Sequence, residues 1–391
     1  MSTERSAVTT PARPDEPGTS SAPRAPDAPG GVGAADAEAF YRELERQHLC
    51  ALWNVTANLL PREPRSRAVP YLWRWDTLLP LCQRGGELAP IHRGAERRVL
   101  GFINPGLPDR YGATHTLWAG FQYLLPGEVA PAHRHSPAAI RFVIQGQGAF
   151  TTVDGDKCRM SPGDLILTPP WTWHDHGHEG TEPMIWLDGL DLPLVAELEG
   201  TFFEPLTADV QPVAKPLEDS ARRYGVGQLR PTWGRSVTPH SPLLVYKWEQ
   251  TEAALRRLVA LDASPFDDVA MEYINPHTGG PLMPTIACQV QLIRPGVGTR
   301  AHRHTGSAVY LAFEGRGHSV IDGQRFDWGP GDLFVVPSWT WHEHASAADV
   351  PGGAILFSVQ DSPVIQALGL WREQAYPEPS GHQPITRVFG R

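Results

Sequence analysis

The chain has only four cysteines in 391 residues, Cys50, Cys82, Cys158 and Cys288, and no two of them stand at CxxC spacing. That excludes a thiolate zinc site or a disulfide framework and predicts reduced, mostly structural thiols. Positive charge is also short: Lys and Arg number 34 against 43 Asp and Glu, the formal net charge is −9, and there is no Lys/Arg-rich run. Neither a nucleic acid nor an anionic membrane is therefore an expected partner. No stretch approaches the roughly 20 apolar residues of a membrane span, and the N-terminus lacks the apolar core of a secretory signal, so the expected compartment is the cytoplasm. Residues 1–35 almost lack large apolar side chains and are rich in Pro, Ala, Ser, Thr and Gly. Such a segment cannot bury enough surface to offset its ordering entropy and is expected to be a disordered tail.

The remaining length suffices for two domains with sizeable cores. Residues 36–110 are predicted as a helical and arm region, opening with helix formers from Ala35 to Arg46 that place Phe40, Tyr41 and Leu44 on one face. From Thr116 short alternating runs take over, such as Phe121–Leu125, Ile140–Ile144, Ala149–Val153 and Leu165–Thr168, separated by Gly and Pro turns. Short, evenly spaced strands predict an antiparallel jelly-roll barrel over 111–200. A linker with a helix near Glu252 to Leu261 is expected over 201–265, a second barrel over 266–365 and an extension over 366–391. The fold class expected is thus all-β with helical additions, two barrels in one chain.

The two barrels follow from a long repeat. Gly127, His133-Arg134-His135, Pro162-Gly163-Asp164 and Pro169-Pro170-Trp171-Thr172-Trp173-His174 recur as Gly296, His302-Arg303-His304, Pro330-Gly331-Asp332 and Pro337-Ser338-Trp339-Thr340-Trp341-His342. A repeat of this period means one barrel duplicated, not a solenoid of small units. Histidines two apart on a strand share a face, so each copy aims two imidazoles inward and a later strand brings a third. A single inward histidine is more often satisfied by hydrogen bonds than by a metal; three at this spacing, in both copies, favour metal centres. The candidate ligands are His133, His135 and His174, with His302, His304 and His342 able to hold a second metal. Imidazole alone leaves the metal open among Fe, Zn, Cu, Ni and Mn.

Arg141 follows His135 by six residues and, on an uninterrupted strand, is expected to share its inward face. An inward arginine is costly unless paired, and its planar fork matches a carboxylate, either of a substrate or of an internal Asp or Glu. The second copy has Tyr310 there, Ala287 where the first has Trp118, and a neutral residue near Ser358 where the first has Asp188; Gln122 keeps a counterpart in Gln291. The copies share ligands but not an acid-binding wall, which points to the N-terminal barrel as the catalytic one.

The paired blocks resemble those of the cupin superfamily, although neither copy has the glutamate that usually follows HxH. More specifically the chain resembles the bicupin ring-cleaving dioxygenases that act on gentisate, salicylate and 1-hydroxy-2-naphthoate. The resemblance runs over about 90–365, through Ala95-Glu96-Arg97-Arg98, Asn104-Pro105-Gly106-Leu107, Trp118-Ala119-Gly120-Phe121-Gln122, the HRHSPAAIRF block from His133, the PPWTWHDH block from Pro169, and Trp186-Leu187-Asp188-Gly189-Leu190-Asp191. It implies Fe(II) on His133, His135 and His174, a small aromatic hydroxy acid and O2 as substrates, and a homotetramer. It further implies that Trp118, Gly120, Gln122 and Arg141 line or contact the substrate, that Arg93 and Arg97 add positive charge, and that Asp188 and His176 assist proton transfer. Packing for Trp118 and a solvated surface for the arginines are the plain alternatives. His115 and His178 are expected to be structural or surface residues.

The activity so implied is extradiol-type cleavage between the carboxyl-bearing and the adjacent hydroxylated carbon, with gentisate giving maleylpyruvate. Salicylate, a substituted salicylate or 1-hydroxy-2-naphthoate is the alternative substrate; Pro137-Ala138 is a weak marker of altered specificity. From other classes, a metal-free ligand-binding bicupin would be expected to have lost its histidines, and an isomerase or decarboxylase to have kept the glutamate.

Overall fold

The computed structural model describes residues 33–89, 91, 97–227, 229–233 and 238–390. The expected tail therefore lies almost wholly outside the described residues, as does Arg93. The chain divides into two compact units, one ending at Arg62 and the other running from Glu63 to the C-terminus. The first holds the expected helix, Ala34–Arg46, and a second, Leu52–Leu59. Asp36 in the first turn and Arg46 in the last complement the helix dipole, and neither helix has a buried residue.

The second unit holds two barrels, each a sandwich of two sheets, six and five strands in the first and six and six in the second. In the first barrel the larger sheet orders its strands as Val245–Tyr246, Leu165–Thr168, Ala139–Gln145, Met184–Leu190, Trp118–Leu124 and Val99–Gly101; the smaller runs Phe203–Pro205, Val129–His135, His174–His178, Ala149–Val153 and Asp156–Arg159. The second barrel repeats this order around Ala308–Glu314, Ala354–Gln360 and Ala287–Ile293 in one sheet and His302–His304, His342–Ser346 and Gly317–Ile321 in the other. The repeat's glycines have local causes. Asp154-Gly155 and Asp322-Gly323 sit at positive φ in two-residue hairpin turns, the geometry whose twist matches antiparallel strands.

The segments before each barrel cross to the other. Tyr71–Trp73 pairs with Leu333–Val336 of the second barrel, whereas Val245–Tyr246 pairs with Leu165–Thr168 of the first. A helix follows each, Trp75–Leu88 and Trp248–Leu258, the latter close to the one expected. Each PGD motif docks one of these helices. The Asp332 carboxylate accepts from Trp75 N at 2.7 Å and that of Asp164 from Trp248 N at 2.9 Å. A Cβ on Gly331 or Gly163 would lie 2.4 Å from the corresponding indole. Other sheets also extend past the expected boundaries at 200 and 365: Phe203–Pro205 pairs beside His133 and His135, and Glu373–Ala375 beside His302 and His304.

Strand alternation divides labour between the two faces. Arg141 points into the first barrel while Phe142 points out and stacks on Phe357 of the second, centroids 3.9 Å apart, so the two sheets that carry these rings share one apolar core.

Candidate metal centres

His133 and His174 are direct cross-strand partners, and His135 lies two residues along the same face. Their ring centroids are 4.2 Å apart for His133–His174 and 4.8 Å for His135–His174, and one nitrogen from each of the three rings lies within 4.8 Å of the others. Each Nδ1 faces a backbone carbonyl: His133 that of Pro131 at 3.1 Å, His135 that of Pro137 at 2.8 Å, His174 that of Thr172 at 3.0 Å. For His135 and His174 that favours the Nδ1–H tautomer and leaves Nε2 with its lone pair, whereas the Nδ1 of His133 also meets the Arg97 guanidinium. His174 Nε2 is fully buried without a partner. Burial pushes His135 down to about 4 and His174 well below the usual histidine range. Neutral, preoriented imidazoles with an orphaned nitrogen are the donor set a divalent transition metal takes.

The PxWxWH motif also proves to be a clamp. Arg134, between the two ligands, is sandwiched between Trp171 and Trp173, 4.5 and 4.6 Å from the ring centroids, and donates to Glu204. Arg303 repeats this with Trp339 and Trp341 at 4.3 and 4.4 Å. The tryptophans thus hold the outer face of the ligand strand while the histidines turn inward.

Facing the first triad, the larger sheet presents one cross-strand row, Gly120, Asp188 and Arg141. Arg141 is buried; its Nη1 donates to Thr168 Oγ1 and its Nε lies 3.4 Å from Asp188 Oδ1 without a well-formed hydrogen bond. The internal carboxylate weighed from the sequence is therefore Asp188 itself. Burial pushes Asp188 up to about 6 against the pull of Arg141, and Trp186 Nε1 donates to it at 3.0 Å. Gln122 and His176 share the interior: Gln122 Nε2 and His176 Nε2 are buried with no partner, while His176 Nδ1 meets Thr151 Oγ1 at 2.9 Å. Trp118 lies over Gly120, where an added Cβ would come within 2.6 Å of the indole. Arg97 donates to Pro131 O at 2.8 Å and reaches the outward nitrogen of His133. Arg98 is buried in an ion pair with Glu128, and His178 binds Glu182 O and Gly180 N; both are structural.

Two contributors escaped the sequence reading. Thr168 anchors Arg141, and its counterpart is Val336, opposite Ala308 as Thr168 is opposite Ala139, so comparison of the copies could have found it. Phe203, stacked on His133 at 5.1 Å, comes from an edge strand that carries no motif.

In the second barrel His302, His304 and His342 again bring nitrogens within 4.8 Å, with ring centroids 4.3 Å apart for His302–His342 and 5.1 Å for His304–His342. His304 and His342 face the carbonyls of Thr305 and Thr340, whereas buried His302 Nδ1 has no partner. Both triads can hold a metal. The four cysteines are free, and no helix among the described residues is long and apolar enough to cross a membrane.

Known proteins agree with this geometry. Residues 120–190 and 289–357 each match the cupin domain family. The chain is 42% identical over 359 residues to a 5-aminosalicylate 1,2-dioxygenase from Comamonas sp, covering 90% of this chain and 94% of that protein. It is 42% identical over 342 residues to a gentisate 1,2-dioxygenase from Streptomyces sp, covering 86% and 94%. The crystal structure of salicylate 1,2-dioxygenase from Pseudoaminobacter salicylatoxidans with gentisate superposes with a TM-score of 0.84 at 39% identity, over 90% of this chain and 97% of that one. Two cupin barrels, a histidine triad of like geometry in each and these relatives, matched over most of their length, place the chain in the bicupin family of ring-cleaving dioxygenases.

Proposed function

We propose that the N-terminal barrel carries Fe(II) on His133, His135 and His174 and opens the ring of a 2-hydroxybenzoate with an electron-donating 5-substituent, gentisate giving maleylpyruvate. The observation that carries this reading is the buried Arg141 across from the triad, with Gln122 and His176 leaving unpartnered nitrogens in the same interior. Buried polar atoms without partners cost free energy unless a ligand meets them. An aromatic acid supplies what they lack: a carboxylate for the guanidinium and hydroxyl oxygens for the amide and imidazole. Relatives named for gentisate and for 5-aminosalicylate, both with a donor at that ring position, support the substrate class.

A ferrous ion, when bound, supplies open positions where acid and dioxygen meet and the electron transfer that zinc lacks. The protein's own groups do the rest. Arg141, braced by Thr168, fixes the carboxylate. Asp188, with its carboxyl near 6, exchanges a proton close to neutral pH, and His176, held neutral by burial, offers Nε2 to a substrate hydroxyl as a hydrogen-bond partner. Trp118 over Gly120 forms the flat wall against which a ring lies.

The test is anaerobic Fe(II) reconstitution followed by oxygen uptake with gentisate, 5-aminosalicylate, salicylate and 1-hydroxy-2-naphthoate. Fastest turnover is expected with the first two. Faster turnover of the unsubstituted acids would contradict the substrate assignment, and no uptake with any would contradict the activity.

A further inference from the structure

The second triad opens into a cavity of about 330 Å³ whose walls reverse the charge of the first. Register shows the exchange position by position. Opposite each other in the first barrel stand Gly101 and Gly120; in the second, Glu272 and Gln289. Phe203 lies opposite His135 and Glu373 opposite His304. The row Gly120, Asp188 and Arg141 becomes Gln289, Ser358 and Tyr310. Asp267 adds a third carboxylate, and Gln360 and Trp371 complete the wall. Among the described residues lining it there is no lysine or arginine. With a dication on its triad, the first cup stays net positive, Arg141 being balanced by Asp188, whereas three carboxylates leave the second net negative.

We infer that the C-terminal triad is a second divalent-metal site whose cup takes a hydroxyl-bearing amine and turns away the aromatic carboxylates that the N-terminal cup receives. Three carboxylates repel an anion and attract an ammonium group. Trp371, stacked on His304 at 5.0 Å, offers an aromatic face to a cation, and Gln289 and Gln360 offer hydrogen bonds. His344, whose ring centroid lies 4.9 Å from that of Tyr310 in the wall, has a buried Nε2 without a partner, and this orphaned nitrogen beside the acidic rim points to a ligand.

The charge inversion can be read with one pair of probes that share the phenol ring and differ in the sign of the ortho substituent: salicylate, and 2-hydroxybenzylamine, in which an aminomethyl group replaces the carboxylate. Metal-free full-length protein is titrated with Co(II) and followed by its visible absorption. Two equivalents are expected for the native chain, and one each for H133A/H135A and H302A/H304A. In H133A/H135A the cobalt bands should shift with 2-hydroxybenzylamine and not with salicylate; in H302A/H304A the preference should reverse. A single equivalent in the native chain, a salicylate shift in H133A/H135A, or no shift there with the amine overturns the inference. D267N/E272Q/E373Q keeps both triads and should lose the amine response while retaining two equivalents; an unchanged response also overturns it. H302A/H304A reports the N-terminal site alone, so failure of that assignment is seen separately.

Discussion

Arg141 carries the greatest consequence of any single side chain. Its charge is buried, braced by Thr168 and balanced by Asp188. R141K keeps the charge and loses the fork. Because a hydrogen bond to a charged group is worth about 2 kcal/mol, kcat/KM for the aromatic acid should fall about 30-fold at equal iron content. An unchanged value would remove Arg141 from substrate binding. Gly120 is a test of shape instead of charge. In G120A the new methyl meets the Trp118 indole and Val99 Cγ1, at 2.6 and 2.7 Å before relaxation, so the wall must shift at a cost of about 1–3 kcal/mol. KM should rise more than kcat falls, with a lower urea midpoint; steady-state kinetics and urea unfolding check both. At this scale the sequence was informative where strand parity applies, since HxH fixes a common face; the six-residue step to Arg141 is not such a case, because Val129–His135 ends before Ala139–Gln145 begins in the facing sheet. It was silent where contacts come from distant strands. That Arg141 meets Asp188 depends on the pairing of Ala139–Gln145 with Met184–Leu190, which neither segment encodes alone.

The crossed arms are the most testable elements. Trp75 docks on Gly331 of the second barrel and Trp248 on Gly163 of the first, beside the strand that carries Thr168. Truncating either indole leaves a cavity and should cost about 3 kcal/mol in urea unfolding. Both should lower the N-terminal kcat/KM, W248A as Thr168 loosens and W75A because its indole also packs edge-on at 5.6 Å against Phe121, between Gly120 and Gln122. An unchanged value in either would contradict that support. The strands Ala149–Val153 and Leu165–Thr168 were legible to the residue, because alternation and turn glycines are local. The crossing was not. A three-residue strand such as Tyr71–Trp73 has no pattern that names its partner, and the PGD motif shows its purpose only once the tryptophan is seated on it.

For the whole molecule, the two barrels share ligands and core but not charge, and the buried imidazoles make stability depend on pH. Burial pushes His135 and His304 down to about 4 and His344 to about 3, so at mildly acidic pH the unfolded chain binds protons that the folded chain refuses. Stability is fully present above pH 6.5 and is lost as pH falls below it, by about 1.4 kcal/mol per pH unit for each histidine. Asp188, raised to about 6, opposes this below pH 6, and other carboxyls raised by burial, such as Asp164, Asp175, Asp191 and Asp361, oppose it at lower pH still, so the histidines dominate the step from pH 7.5 to 5.5. Metal-free protein should therefore show a lower urea midpoint at pH 5.5 than at pH 7.5, and a flat profile would contradict neutral buried histidines. The duplication was legible as a repeat and the asymmetry of its walls only in part: Tyr310 for Arg141 stood out, whereas Glu272 and Glu373 join the second cup through pairings that only the fold reveals. The central claim, that the N-terminal triad is the centre of ring cleavage, is tested most directly by anaerobic Fe(II) reconstitution of H174A and H342A and oxygen uptake with gentisate. The account predicts no uptake for H174A and near-native uptake for H342A; uptake by H174A with loss in H342A would contradict it.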